Sequence, residues 1–201
     1  MWCNVATLCA IGILTLSSAG CATRPTSATA HVWAQPCDDC MAGITNFTRV
    51  SDKLWRGAQP DPRDPEVFRK LAARGVKTVI NLRHDHDDFP DLQSTKLAYV
   101  RIRMRGWRPR EEELVLFLAA LRRAFADPDR WPVLVHCAEG KDRTGYAIAS
   151  YRIIEEGWDP DSAIQEMFDF RYHPRYFGNP AFLQRLGARR AEIAERVARS
   201  P

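Results

Sequence analysis

Short apolar runs that alternate with amphipathic stretches are the feature that most constrains how this 201-residue chain can fold. The runs 76–82 and 132–136 are nearly continuous in apolar residues, which is typical of strands buried on both faces of a sheet. The run 98–104 predicts a third strand. Between these strands, residues 111–126 carry apolar side chains at helical spacing, so they predict a helix. Strands separated by helices predict an α/β fold, with one domain built on a central, mostly parallel sheet flanked by helices.

The remaining predicted elements surround this sheet. A short pair of strands is predicted at 47–50 and 53–56. Asp64-Pro65 is typical of a helix start, and Gly75 of the end of the same helix. By the same signals and by amphipathic spacing, three further helices are predicted, at 144–156, 159–170 and 180–199.

A ten-residue loop, His136 to Gly145, joins the buried strand 132–136 to the helix that follows it. It reads His-Cys-Ala-Glu-Gly-Lys-Asp-Arg-Thr-Gly and places Cys137 six positions before Arg143. Backbone N–H groups of such a loop, and the positive end of the next helix, favour an anion, and so they favour the thiolate form of Cys137. The Arg143 guanidinium offers a planar fork of donors that matches two phosphoryl oxygens. The loop therefore predicts a nucleophilic sulfur in a phosphate-binding site.

This loop resembles the Cys-x5-Arg-Ser/Thr signature of protein tyrosine and dual-specificity phosphatases. It is especially similar to bacterial members whose loop reads His-Cys-x-x-Gly-Lys-Asp-Arg and which act on phosphotyrosine, phosphoserine or phosphothreonine, and phosphoinositides. The segments 54–60 and 79–83 also resemble parts of that family, and the resemblance runs from about Phe47 to Phe170. It implies the fold of that family and a cysteine-dependent phosphatase that forms a cysteinyl-phosphate intermediate. The resemblance implies no metal and no other cofactor.

Two other functions compete with phosphatase activity. Rhodanese-like sulfurtransferases also place a cysteine on a strand-to-helix loop, and a catalytically weak module could bind a phosphorylated ligand without hydrolysing it. A nucleotide-binding P-loop is excluded, because Val135 stands where that motif needs its first glycine and Asp142 follows Lys141.

Each loop residue has a predicted role. Cys137 is the predicted nucleophile, and Arg143 with the loop N–H groups is predicted to stabilise the equatorial oxygens. Asp142 is the first choice for the general acid, because the loop 105–110, which usually carries an aspartate in tyrosine phosphatases, has none. The alternative is that Asp142 turns outward to pair with Lys141 or an arginine, which would leave the carboxylates of 85–91 and 111–113 as donors. The residues predicted to bind substrate or hold the loop are His136, Ala138, Glu139, Gly140, Lys141, Thr144 and Gly145, with His136 behind the loop and the Thr144 hydroxyl donating to the sulfur.

Basic side chains are predicted around the mouth of the site. In an open α/β sheet, ligands bind at the carboxyl ends of the strands, where three of the predicted loops meet. The mouth of the pocket is predicted to be lined by Arg83, His84, Arg103, Arg105, Arg108 and Arg110. Such a rim favours a polyanionic ligand such as an inositol phosphate or a phosphoinositide head group, unless the arginines are solvated or pair with nearby carboxylates.

The N-terminal segment predicts export. Residues 1–23 contain no charged side chain, and the apolar run 5–16 is too short for a comfortable membrane span, so 1–20 is predicted to be a signal peptide. Ser18-Ala19-Gly20-Cys21 resembles the lipobox of bacterial lipoproteins, which implies lipidation of Cys21. An uncleaved signal anchor and ordinary secretion are the alternatives. The expected location is the membrane, on the periplasmic side or at the cell surface.

The sequence also predicts boundaries and partners. Residues 21–46 are predicted to be a flexible, lipid-anchored tether, and 47–201 the catalytic domain. Cys37 and Cys40 could close a small disulfide in an oxidising compartment. The net charge of +4 comes without a basic stripe alternating with aromatic residues, so no nucleic-acid partner is expected. The expected partners are a phosphorylated substrate and, through the lipid, a membrane, and the chain is expected to act as a monomer.

Overall fold

A five-stranded sheet forms the centre of the computed structural model, which describes residues 31–41 and 43–200. Its strands are β1 (Thr48–Arg49), β2 (Leu54–Gly57), β3 (Thr78–Arg83), β4 (Ala98–Met104) and β5 (Val133–His136), in the order β1-β2-β5-β3-β4. β1 pairs with β2 antiparallel, and the other three pairs are parallel. The predicted α/β fold with a mostly parallel central sheet is confirmed.

Helices cover both faces of this sheet. They are α1 (Val67–Ala73), α2 (Phe89–Leu92), α3 (Glu111–Ala126), α4 (Asp142–Ile154), α5 (Pro160–Asp169), α6 (Gly178–Ala188) and α7 (Arg190–Arg199), with a 3-10 turn at Pro128–Arg130. The core lies in two clusters, because alternate residues of a strand face opposite sides of a sheet. In β5, Val133 and Val135 pack with α3, α4 and α7, while Leu134 packs with α1 on the other face.

The last predicted helix is two helices. Residues 180–199 were expected as one element, but α6 ends and α7 begins around Arg189, whose backbone leaves the helical region at φ −112° and ψ 25°. Arg189 is neither glycine nor proline, and the apolar residues continue at helical spacing across the break. Periodicity alone therefore merges α6 and α7, and the single-helix prediction is wrong.

The N-terminal part of the described chain belongs to the domain. Ala34 and Ile44 are buried, and the Ala34 N–H donates to Glu166 Oε1 at 2.9 Å. Cys37 and Phe47 exchange two backbone hydrogen bonds of 2.8 and 3.0 Å, and Cys37 is joined to Cys40 by a disulfide. Residues 31–41 and 43–46 are thus packed against the domain rather than forming the expected flexible tether, and the domain extends N-terminal of the predicted boundary at 47.

The predicted signal peptide and the lipid-bearing Cys21 lie outside the described residues. Among the described helices, none combines the length and apolar character needed to cross a membrane.

Candidate active site

The predicted phosphate-binding loop leaves the centre of the sheet. β5 lies between β2 and β3 with all four residues buried, and the chain passes from it through Cys137 to α4, which begins at Asp142. Cys137 has an exposed fraction of 2%, and it is the one free cysteine of the described chain. The strand therefore places the sulfur at the carboxyl edge of the sheet, where ligands bind in such folds.

Side chains and backbone from outside the loop hold its carbonyl groups. The Gln59 N–H donates to Ala138 O at 3.1 Å, and Asn46 Nδ2 donates to Gly140 O at 3.1 Å and to Glu139 O at 3.5 Å. In a planar trans peptide the N–H points opposite to the C=O, so the three N–H groups that follow these carbonyls face the other side of the loop. Within the described residues, those three N–H groups donate to no other group. They form a concave set of donors suited to an anion.

Arg56 lies fully buried beneath the loop. Its Nη2 donates to Gly140 O at 2.8 Å, and its guanidinium carbon lies 3.6 Å from the ring centroid of Phe170. Burial lowers the pKa of Arg56 to about 9, although the charges of Glu166 and Cys137 oppose this effect. The guanidinium still carries its charge at neutral pH, and it adds a fixed positive charge behind the anion site. No role is predicted for Arg56 from the sequence, although it lies inside the family-like segment 54–60.

The loop also approaches the end of β2 very closely. Gly140 has a φ of +68°, a conformation that favours glycine. A Cβ at this position would lie 2.6 Å from the carbonyl carbon of Gly57 and 2.8 Å from the backbone nitrogen of Ala58. Both the backbone conformation and the contact therefore require glycine at Gly140.

His136 is fixed from behind by a buried carboxylate. Its Nε2 lies 2.8 Å from Asp88 Oδ2, and both side chains are fully buried. Gln59 Nε2 donates to Asp88 Oδ1 at 2.7 Å, and His86 Nε2 lies 3.1 Å from the same oxygen. Burial raises the pKa of Asp88, but the hydrogen bonds from His136 and Gln59 outweigh it, so the pKa lies below its usual value. On its other side, His136 Nδ1 lies 3.4 Å from Cys137 O.

A cavity of about 460 Å³ opens beside the loop. It is lined by residues of the catalytic loop and α4, of the β3–α2 and β4–α3 loops, and of the α5–α6 connection, namely His84, Asp85, Met104, Arg105, Gly106, Trp107, Glu139, Asp142, Arg143, Arg175 and Tyr176. The mouth is therefore built from three positively charged arginines, three carboxylates and two aromatic rings.

The basic rim differs from the predicted one. Of the six residues expected there, His84 and Arg105 line the cavity, whereas Arg83, Arg103, Arg108 and Arg110 do not. Arg175 takes part instead; it lies between α5 and α6, where the sequence shows no motif or apolar period. Whether an arginine on a loop faces a cavity depends on the backbone path, which composition does not specify.

Arg143 lies at the cavity with a carboxylate partner. Its Nη1 is 3.7 Å from Asp85 Oδ1, and its side chain has an exposed fraction of 19%. A hydrogen bond from Arg83, together with the charge of Arg143, holds the pKa of Asp85 below its usual value. Asp85, one of the alternative general acids, is therefore a poor proton donor at neutral pH.

Asp142 lines the cavity and pairs with a residue that sequence analysis did not single out. Asp142 Oδ1 accepts the His173 backbone N–H at 3.0 Å, and His173 Nδ1 lies 2.9 Å from both carboxylate oxygens. Lys141 is bonded to Glu139 instead, with Nζ 2.7 Å from Oε2. Asp142 thus turns neither to Lys141 nor to an arginine.

Two residues after Arg143 complete the loop. Thr144 is fully buried, and its Oγ1 has no hydrogen-bond partner among the described residues, so the expected bond to the Cys137 sulfur is not formed. A Cβ on Gly145 would lie 3.0 Å from Met167 Cγ, so Gly145 lets α4 approach α5 closely.

Apart from Asp85, none of the alternative acids lines the cavity. Asp87 accepts from Tyr99 Oη at 2.8 Å and pairs with Arg101, and Glu111 pairs with Arg189. Burial raises the pKa of Glu113, but this side chain does not line the cavity described above. Asp142 is therefore the best-placed carboxyl group for proton transfer.

Comparisons with known proteins agree with this geometry. The family model for the tyrosine phosphatase family matches residues 42–192. The dual specificity protein phosphatase TpbA of Pseudomonas aeruginosa (strain UCBPP-PA14) is 30% identical over 166 residues, which cover 83% of this chain and 71% of TpbA. The inositol diphosphatase DSP3 of Arabidopsis thaliana is 24% identical over 132 residues, which cover 64% of this chain and 63% of DSP3.

The solved structures are similar as well. The crystal structure of P. aeruginosa TpbA matches with a TM-score of 0.66 and 27% identity, covering 85% of this chain and 99% of that one. A TpbA variant in complex with pTyr matches with a TM-score of 0.65 and 27% identity, covering 87% of this chain and 100% of that one. The chain therefore belongs to the tyrosine phosphatase family and is a cysteine-dependent phosphoric monoester hydrolase.

Proposed function

We propose that Cys137 is the nucleophile and that the loop N–H groups and Arg143 bind the phosphoryl oxygens. The observation that carries this proposal is that hydrogen bonds hold the carbonyls of Ala138, Glu139 and Gly140 to one side of the loop, which leaves the N–H groups of residues 139–141 free for an anion on the other side. The sulfur forms a bond to phosphorus as the ester P–O bond breaks, and the departing oxygen takes a proton from Asp142. Water then attacks the phosphorus, the S–P bond breaks, and phosphate is released.

We propose that the preferred substrate is a protein phosphotyrosine. Trp107 and Tyr176 give the cavity aromatic surface for a phenyl ring. Once Arg143 binds the reacting phosphoryl group, the remaining positive charges of the cavity lining are Arg105 and Arg175. Three carboxylates also line the cavity, so little net positive charge is left for further phosphates. The complex of a TpbA variant with pTyr supports the same choice.

Inositol phosphates and phosphoinositides are the second candidate substrates. Arg105 and Arg175 at the cavity support them, as does the similarity to the inositol diphosphatase DSP3. A more basic rim than the one present would favour them over an aryl phosphate.

A substrate panel tests these proposals. We expect kcat/KM on phosphotyrosine peptides to exceed that on phosphoserine peptides, inositol hexakisphosphate and phosphoinositide vesicles by at least about tenfold, which corresponds to about 1.4 kcal/mol. In Cys137→Ser, phosphate release should be lost while phosphotyrosine binding remains. Undiminished release in that variant would reject Cys137 as the nucleophile, and a higher kcat/KM on inositol phosphates would reject the substrate assignment.

We also propose that the domain is exported and anchored to a membrane through a lipid on Cys21. The uncharged segment 1–23 and the lipobox-like residues 18–21 support this, and the Cys37–Cys40 disulfide suits an oxidising compartment. Cys21→Ala should abolish metabolic labelling with a fatty-acid analogue and release the protein from the membrane fraction. Labelling at the wild-type level in Cys21→Ala would exclude this residue as the attachment site.

A further inference from the structure

We propose that the proton donor of this phosphatase is the Asp142–His173 pair rather than an isolated carboxyl group. His173 acts as a positioning residue: it holds the Asp142 carboxylate at the cavity and supplies the proton that Asp142 passes on. This inference rests on the proposed function, in which Asp142 protonates the leaving group.

Two groups of His173, the ring nitrogen Nδ1 and the backbone N–H, contact the Asp142 carboxylate. His173 Nδ1 lies 2.9 Å from both oxygens of Asp142, and the His173 backbone N–H donates to Oδ1 at 3.0 Å. The two side chains have exposed fractions of 28% and 16%. Nδ1 is thus directed at the carboxylate, and the more exposed imidazole can exchange protons with water.

The pair also lies at the cavity beside the loop. Asp142 and Arg143 both line it, so the carboxylate and the guanidinium that is proposed to bind the phosphoryl oxygens open onto the same space. Gly106 forms the facing wall: a Cβ there would lie 3.5 Å from Asp142 Cβ. Its carbonyl is fixed by a 2.8 Å hydrogen bond from Asn179 Nδ2, so this wall is held in place.

The charged and titratable surroundings of His173 come from two elements. From the catalytic loop, the Glu139 carboxylate faces His173, and its pKa is lowered by Lys141 first and also by His173 and Arg175. From the α5–α6 connection itself come Arg175, Tyr172 and Tyr176, and the Tyr176 ring centroid lies 6.2 Å from that of His173. The charges around His173 are therefore two carboxylates, Asp142 and Glu139, and the guanidinium of Arg175.

The pair can donate the proton that the first step needs and take one back in the second step. Before the first step the pair is an imidazolium hydrogen-bonded to a carboxylate. As the P–O bond breaks, one proton passes through Asp142 to the departing oxygen, and neutral imidazole remains beside the carboxylate. When water attacks the cysteinyl phosphate, the carboxylate accepts a proton from that water and the imidazole takes it up. The pair thus ends each turnover in its starting state.

The test uses substitutions at His173 and substrates with different leaving groups. Asn at this position keeps an N–H donor near the place of Nδ1 but cannot store a proton, whereas Ala removes both. The full-length protein would be assayed on phenyl phosphate, whose leaving group needs protonation, and on p-nitrophenyl phosphate, whose leaving group needs it far less.

We expect His173→Asn and His173→Ala to lose about 10²-fold in kcat/KM on phenyl phosphate at neutral pH and less than about threefold in kcat/KM on p-nitrophenyl phosphate. The ratio kcat/KM is the informative quantity, because it reports the step in which the leaving group departs, whereas hydrolysis of the cysteinyl phosphate is common to both substrates. The alkaline limb of the pH profile should move to lower pH in both variants, because an isolated carboxyl group keeps its proton only at lower pH than an imidazolium. Asp142→Asn should give the same leaving-group dependence, and the double variant Asp142→Asn/His173→Ala should be no worse than either single one.

His31 provides a matched control, because its Nε2 lies 3.5 Å from Asp159 Oδ2 in a histidine–aspartate pair outside the cavity. His31→Asn should change neither the leaving-group dependence nor the pH profile. Equal losses on both substrates with an unshifted alkaline limb, or additive losses in the double variant, would overturn the role of the pair. Phosphate release that persists in Cys137→Ser would instead overturn the proposed function, so the two failures are distinguishable.

Discussion

Two side chains far from the Cys-x5-Arg motif shape the anion site at the scale of single residues. Asn46, which precedes β1, and Arg56, which lies in β2, both donate to Gly140 O. Asn46 is buried and also donates to Phe170 O at 3.1 Å, so it ties the catalytic loop to the end of α5. The loop that is proposed to bind phosphate is thus held in place by two side chains from outside the motif.

Asp88 gives the stability of the protein a dependence on pH. Its pKa is lower in the folded state than usual, so its contribution to the free energy of unfolding is complete above the unfolded-state pKa, near 4, and is lost as the pH falls through the folded-state value. Asp88→Asn should lower the free energy of unfolding by about 1–3 kcal/mol at pH 7, because His136 loses a buried partner. Urea unfolding from pH 3 to pH 7 would measure both effects.

Since other carboxylates also titrate in this range, the difference between wild type and Asp88→Asn is the informative quantity. It should shrink as the pH falls below about 4. A difference that stays constant over the whole range would mean that Asp88 does not titrate with folding.

The sequence predicts which residues react, but not the side chains that support them. Cys137, Arg143 and Asp142 stand in one contiguous motif whose spacing carries chemical meaning. His173 and Arg175 come from the α5–α6 connection, a segment without apolar period or motif. Only the tertiary path of the chain brings Arg175 to the cavity and His173 to Asp142. Buried partners such as Asp88 could not be predicted either, because nothing in the sequence distinguishes a buried aspartate in a polar loop from one in an exposed turn.

At the scale of elements, the catalytic loop packs so closely against the end of β2 that there is no room for a side chain at Gly140. A Cβ at Gly140 would overlap backbone atoms of Gly57 and Ala58, which cannot move as a side chain can. Gly140→Ala should therefore displace the loop and lower kcat/KM on an aryl phosphate by about 10²-fold, the loss typical of one missing oxyanion donor.

Steady-state kinetics with thermal unfolding would check this, and Gly178→Ala is the matched control. A Cβ on Gly178 meets nothing within 4 Å, so that variant should keep wild-type rates. Activity in Gly140→Ala equal to that of Gly178→Ala would show that the loop tolerates the displacement.

Elements with strong periodicity were predicted well. Residues 111–126 and 98–104 match α3 and β4 at both ends, because a long amphipathic helix and a half-buried strand each repeat a clear pattern. The four-residue helix α2 and the break at Arg189 were missed, since one turn of helix is too short to show a period. Local sequence patterns cannot predict the ends of helices and strands that are set by tertiary contacts.

At the scale of the whole molecule, the N-terminal segment is part of the folded domain. Met41 and Ile44 belong to the core cluster on the α1 face of the sheet, and Asn46 holds the catalytic loop. A protein starting at residue 47 lacks all three, whereas one starting at residue 31 keeps them.

We expect the protein 47–201 to unfold with a free energy at least about 4 kcal/mol below that of 31–201, because losing each buried Met or Ile costs about 2–5 kcal/mol. It should also lose most of its activity, since the loop carbonyls lose Asn46. Urea unfolding and kinetics on both fragments would test this, and equal stability of the two would show that residues 31–46 contribute nothing to the core.

The pairing of Cys37 with Cys40 bears on how the enzyme tolerates oxidants. A reactive thiolate is readily oxidised to a sulfenic acid, which is protected from further oxidation when a second thiol condenses with it. Because those two cysteines are already joined to each other, the described chain offers Cys137 no resolving thiol. As far as the described residues go, recovery after peroxide exposure therefore depends on a thiol from elsewhere or on condensation with a backbone nitrogen, and without either the sulfur proceeds to the irreversible sulfinic and sulfonic acids.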